Sequence, residues 1–296
     1  MDRAVTATRV SVLGMGLMGS AVAKAFLDAG HDVAVWNRTP AKCVALADQG
    51  ARTVWTPSEA VAWGEVTVAV LSDYRAVEEV VTSVAPGCAA AGTVFLNLTT
   101  GDAAAAADME KAFASTGMTY LDGAVLAYPK DVGTTADILV SGPEAAWHRY
   151  RDVLAAMGAG TVHTSEAIHE ANVIDTAATG SFFCTALGAF YEASAYASHH
   201  GVPADRLAVH ALRWLDLLRT EIREGAEQIM SGAYETDQAT VDTYEAAMAL
   251  ITDTTRAIGQ PAHIGAGFLA NLRAAQAAGL GDRSLAVTHE VLGRAG

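Results

Sequence analysis

A chain of 296 residues is long enough for about two domains, and 51% apolar residues can furnish a core for each. A formal charge of −14 excludes nucleic acid as a partner, because phosphates would be repelled, and leaves any anionic ligand to local cations and backbone N–H groups. Cys43, Cys88 and Cys184 are odd in number and far apart, so they are expected to be reduced core thiols of a cytoplasmic protein, without a metal or disulfide role.

The polar start Met1-Asp2-Arg3 carries no secretory pattern and leads directly to a strand-like stretch at Val10–Leu13. Further strands are expected at Asp32–Trp36, Val66–Leu71, Thr93–Leu98 and Met118–Leu121, with helices at Ala21–Ala29, Pro40–Asp48, Pro57–Trp63 and Asp102–Ser115. Such alternation predicts a parallel sheet covered on both faces. Ile138–Val140 and Thr161–His163 complete the strands and flank a helix that begins near Pro143.

After Thr164 the pattern turns wholly helical. Ser165 is the expected N-cap of a proline-free helix from Glu166 to about His199, roughly 50 Å long at 1.5 Å per residue. Its uncharged run between Asp175 and Glu192 is shorter than the roughly 20 residues of a membrane span, so it reads as a buried helix. Gly180, Cys184 and Gly188 recur every four residues and suit close packing by another helix, expected from a second subunit. Helices follow at Pro203–Gly225, Asp237–Gly259, His263–Ala278 and Ser284–Leu292. The predicted architecture is an α/β Rossmann domain over residues 1–164, an interdomain helix over 165–199, and an all-α domain over 200–296 for dimerisation and substrate binding.

The first strand runs into Gly14-Met15-Gly16-Leu17-Met18-Gly19 and then a helix, the context a dinucleotide fingerprint requires. Gly14 makes the turn, Gly16 admits the pyrophosphate, and Gly19 lets helix and strand approach. At the end of the second strand, where an NAD enzyme places a carboxylate for the ribose 2′-OH, stand Asn37, Arg38 and Thr39, with Lys42 one turn later. Two cations and no carboxylate suit a 2′-phosphate, so NADPH is the expected cofactor. Leu71 and Ser72, and Asn97, Thr99 and Thr100, end later strands at the same sheet edge and are expected to border it. The histidines show no metal-ligand spacing, and no metal is expected.

These features, with the turn Asn97-Leu98-Thr99-Thr100-Gly101 and the stretch Gly123 to Pro129, resemble the imine reductases of the β-hydroxyacid dehydrogenase superfamily. Trp214-Leu215 and Gly232-Ala233-Tyr234 extend the resemblance into the helical half. In the hydroxyacid dehydrogenases the long helix carries a lysine, followed four residues later by asparagine. Here the matching positions are Asp175 and Thr179, and no lysine follows Lys130. A carboxylate repels a developing alkoxide, but it can pair with an iminium or give a proton to a neutral imine.

The resemblance therefore implies NADPH-dependent reduction of C=N bonds, with Asp175 as the catalytic residue and a small imine as substrate. It also implies a homodimer with exchanged helical domains, in which Val125 and Phe183 border the substrate and Trp214, Leu218, Met230 and Tyr234 come from the partner. Thr100 and Phe183 stand where the reductive-aminase branch carries asparagine and tyrosine. Preformed, cyclic imines are the expected substrates for that reason. Two alternatives stand beside this reading: a hydroxyacid-type reductase, and a dimer that binds NADPH without turnover.

Overall fold

The computed structural model describes residues 7–85 and 87–293. Met1-Asp2-Arg3, on which the expectation of no leader rested, lie outside the described residues. The chain divides into two compact units between Ser181 and Phe182, inside the long helical stretch.

The first unit is built on one eight-stranded sheet. In chain order its elements are β1 (Arg9–Leu13), α1 (Leu17–Asp28), β2 (Asp32–Trp36), a short turn of 3-10 helix leading into α2 (Val44–Ala47), β3 (Arg52–Thr53), α3 (Pro57–Trp63), β4 (Val66–Ala69), α4 (Tyr74–Ser83), β5 (Val94–Asn97), α5 (Ala103–Phe113), β6 (Thr119–Leu126), β7 (Asp137–Ser141), α6 (Glu144–Leu154), β8 (Gly160–His163) and α7 (Glu170–Asp175). The strand order is β3-β2-β1-β4-β5-β6-β7-β8. Successive strand residues face opposite sides: Val10 and Val12 join one buried cluster, whereas Leu13 joins the other. Both faces are covered, so the strands read as unbroken apolar runs.

The all-parallel expectation fails at one pair, because β6 and β7 are antiparallel. The connection from Ala127 to Ala136 holds only a 3-10 turn, too short for the crossover that parallel neighbours need. Ser165 is not the N-cap either. The helix begins at Glu170, and Ser165 Oγ instead donates to the Glu170 carboxylate and accepts from the Ala167 N–H at 3.1 Å. This is a local turn that competes with helix formation.

After α7 the backbone is π-helical from Thr176 to Cys184 and then enters α8 (Thr185–His199). The π segment contains no buried residue, and Cys184 is exposed, so this chain alone does not supply the cover that a buried helix and three core thiols would need. Only Cys43 is buried, with Cys88 between the two extremes. An uncharged composition makes a helix able to be covered; it does not supply the cover. The helix Glu170–His199 is long and apolar enough to cross a membrane by length and composition alone.

The second unit continues with α9 (Ala204–Ser231), α10 (Val241–Ala257), α11 (His263–Ala277) and, after a 3-10 turn, α12 (Thr288–Leu292). Gly225 does not stop α9, which runs on to a left-handed C-cap at Gly232. Gly188 packs on Ile264 of α11, an intrachain contact at 3.7 Å from the position a Cβ would take. The Glu192 carboxylate accepts the Ile264 N–H at 3.1 and 3.2 Å, serving from α8 a helix start whose own N-cap, Ala262, has no side-chain acceptor.

Candidate active site

The carboxyl ends of β1, β2 and β4 open onto a groove of about 590 Å³ lined by Gly14, Gly16, Leu17, Met18 and Gly19, by Trp36 to Thr39 and Lys42, and by Val70 to Ser72. Here the strand order reverses from β1 outwards, the place where open α/β sheets bind ligands. Gly14 has φ +98°, and a Cβ there would lie 2.1 Å from Val70 O. A Cβ on Gly19 would lie 1.8 Å from Gly14 O, so the turn and α1 close on each other only as glycines. At Gly16 a Cβ would meet nothing within 4 Å, which leaves the space that a pyrophosphate requires. Gly16 is also the N-cap of α1 and offers no side-chain cap, so the first-turn N–H groups face outward for an anion.

The other predicted cofactor residues divide by role. Asn37 is a brace: its Oδ1 accepts the Met15 N–H at 2.9 Å and its Nδ2 donates to Thr39 O at 3.0 Å. Met15 itself is buried in the core. Arg38 and Lys42 are exposed at the groove, and no carboxylate pairs with either among the described residues. Asn97 and Thr99 are buried behind the wall, whereas Thr100 is exposed beyond it. These residues fit a phosphorylated dinucleotide: backbone donors for the pyrophosphate, and two free cations at the ribose end.

Asp175 ends α7, is half-buried, and accepts from no described donor. Phe183 is 42% exposed and lies within the π segment itself. Val125 is partly buried against the sheet core. Trp214, Leu218 and Met230 are exposed on α9 in the second unit. Tyr234 is corrected to core: it is 8% exposed, clusters with Val241, Leu272, Ala275 and Val287, and donates to Glu290 Oε1 at 2.7 Å.

A buried polar cluster escaped the sequence reading. Asp122 on β6 is fully buried and accepts four hydrogen bonds. Tyr74 and Tyr120 hydroxyls donate to Oδ2 at 2.6 and 2.7 Å; the Gly123 N–H and Asn172 Nδ2 donate to Oδ1 at 2.7 and 3.2 Å. Burial pushes the Asp122 carboxyl up to about 6, despite donors that favour its ionised form. Burial likewise raises both tyrosines, reinforced by the Asp122 charge. The one legible sign was a lone carboxylate inside the apolar run Tyr120 to Ala127. Its partners lie up to 50 residues away in sequence, beyond local pattern. Among the described residues, no group of three or more His, Cys, Asp or Glu could hold a metal ion.

Residues 9–169 match the family model for the NAD binding domain of 6-phosphogluconate dehydrogenase, more than half of the chain. The chain belongs to that family. Residues 167–294 match a second model, the NADPH-dependent reductive aminase-like C-terminal domain. An imine reductase structure from Pseudomonas sp. is similar with a TM-score of 0.88 and 28% identity, covering 97% of this chain and 100% of that one. A reductive aminase structure from Aspergillus terreus, in complex with NADPH4, cyclohexanone and allyl amine, is similar at 0.88 and 27%, with the same coverage. The NADPH-dependent reductive aminase of Aspergillus oryzae is 29% identical over 136 residues, 46% of this chain and 45% of that protein. The chain spans less than half the length of the curated relatives it matches.

Proposed function

We propose that this chain is an NADPH-dependent imine reductase, acting on preformed and preferably cyclic imines. The observation that carries the reading is Asp175: a half-buried carboxylate on α7 with no described donor, and so free to meet an iminium N–H or to deliver a proton to nitrogen. NADPH, when bound, supplies the hydride that adds to the carbon of C=N and leaves as NADP+. Arg38 and Lys42 would hold the 2′-phosphate, and the α1 N-terminus the pyrophosphate. The whole-length likeness to an imine reductase and a reductive aminase supports the reaction class.

Thr100 and Phe183 favour preformed imines over capture of a carbonyl and a free amine, since a hydroxyl and an apolar ring stand in place of the amide and phenol implied by the aminase branch. A homodimer with exchanged helical domains belongs to the same proposal. The 28-residue α9 is amphipathic yet has no buried residue, with Leu212, Leu215 and Ile222 at least half exposed, and a second copy is the cover such a face requires.

The test is Asp175→Asn, followed by NADPH oxidation with 2-methyl-1-pyrroline. Turnover is expected to fall at least about a hundredfold, the scale of a lost general acid. Parent-like turnover would remove Asp175 from the mechanism.

A further inference from the structure

The buried cluster around Asp122 is one end of a longer hydrogen-bonded chain. At the groove wall, the Leu71 N–H donates to Thr99 Oγ1 at 3.0 Å, and the Thr99 N–H donates to Asn97 Oδ1 at 3.0 Å. Asn97 Nδ2 donates to the Tyr120 hydroxyl at 3.1 Å, and Tyr120 passes the chain to Asp122. Tyr74 joins Asp122 from α4, and Asn172 Nδ2 donates to the Tyr74 hydroxyl at 2.8 Å. Asn172 lies three residues before Asp175, on the adjacent turn of the same helix. One network thus runs from the dinucleotide groove to the helix of the candidate acid, and every link lies in the first unit.

Two details suggest that this network is more than a stabilising device. Among the described residues, Asn172 is the one side chain of α7 hydrogen-bonded to the sheet or to α4. The His169 N-cap makes no side-chain hydrogen bond to help it. Each tyrosine hydroxyl spends its single proton on Asp122, so Asn172 must present its amide N–H groups inward. Its Oδ1 is then left buried without a partner. Such an orphaned carbonyl costs about 1–3 kcal/mol, which a cluster selected for stability alone would avoid. Space is also reserved: a Cβ on Gly101, beside Thr100, would lie 2.1 Å from the Tyr74 ring.

We propose that Tyr74, Asp122 and Asn172 are positioning residues that fix Asp175 relative to the Leu71 loop of the dinucleotide groove. The proposal rests on the reading of Asp175 as the group that serves the C=N nitrogen. An error of about 1 Å in that placement costs on the order of a hundredfold in rate. The network acts on the bond-making geometry and leaves the dinucleotide's own contacts intact.

The experiment compares Tyr74→Phe, Asn172→Ala and Asp175→Asn with the parent, using 2-methyl-1-pyrroline and NADPH. Turnover is counted per NADPH-binding subunit, and NADPH affinity and Tm are measured alongside. For Tyr74→Phe and Asn172→Ala, kcat per binding subunit is expected to fall about tenfold or more, with NADPH Kd and imine KM within about twofold. A merely structural role would lower Tm and the number of binding subunits but leave kcat per binding subunit at the parent value, and that result overturns the proposal. Tyr74→Phe keeps the ring against Gly101 and decides the matter if Asn172→Ala does not fold. An inactive Asp175→Asn beside parent-like Tyr74→Phe sinks only the positioning account; an active Asp175→Asn sinks the functional reading itself.

Discussion

The glycine turn after β1 and the Asp122 cluster serve one sheet by opposite means. At the turn, function depends on missing side chains: Gly14 and Gly19 close to distances that no Cβ allows, and Gly16 leaves a void for phosphate. At the cluster, function depends on side chains that satisfy one another away from water, four donors on one fully buried carboxylate. The backbone device is rigid and insensitive to pH. The side-chain device carries a titratable group near its switching point, so the two should fail in different ways.

The largest expected effect lies at the turn. Gly19→Ala sets a methyl inside the Gly14 carbonyl, and a loss of about 3 kcal/mol or more in unfolding free energy is expected, with NADPH binding abolished. Denaturant titration and cofactor fluorescence read both; an unchanged Cm would show that the turn can yield.

The cluster is broken more selectively by pH. The folded-state carboxyl of Asp122 stands at about 6 against an ordinary 3.8, so the native state holds the proton more firmly than the unfolded chain. Its contribution is therefore fully present below about 3.8 and is lost as pH rises through about 6, a change of about 3 kcal/mol. Other carboxylates titrate in the same range, so the quantity to measure is the difference between parent and Asp122→Asn. The parent should lose stability relative to the variant between pH 4 and 6, and parallel curves would contradict the assignment.

Arg38→Ala sharpens the contrast from the groove side. NADPH affinity should fall about tenfold to a hundredfold, the worth of a charge-assisted hydrogen bond, with NADH affinity little changed. Equal losses for both cofactors would place Arg38 elsewhere than the 2′-phosphate. The smallest effect is expected at a local cap: Thr56 accepts the Glu59 N–H at the start of α3, and Thr56→Ala should cost about 1 kcal/mol without altering cofactor affinity.

Legibility in the sequence follows the range of the interactions. The strand ends, the glycine turn and the Arg38–Lys42 pair are local, each set within a few residues, and they could be read directly. Tyr120 stands only two residues from Asp122, but Tyr74 and Asn172 lie 48 and 50 residues from it and meet each other across 98, so no local pattern announces the cluster. The antiparallel β7 turned on a short connection rather than on strand composition. Cys184 is left exposed by its own chain because an apolar run states that a face can be buried, not what covers it, and Tyr234, beyond the end of α9, was misplaced because its partner Glu290 lies 56 residues away. The π segment beside Asp175 follows from no residue preference that we can name.

The central claim is that this chain reduces C=N bonds with NADPH. A panel of cyclic imines and a panel of β-hydroxyacids, each assayed with NADPH or NADP+ under one set of conditions with product identified, tests it most directly. The account predicts amine formed in step with NADPH oxidised, over many turnovers per subunit, and no turnover of the hydroxyacids. Hydroxyacid oxidation without imine reduction, or NADPH consumption that stops at one equivalent per subunit with every imine, would contradict it.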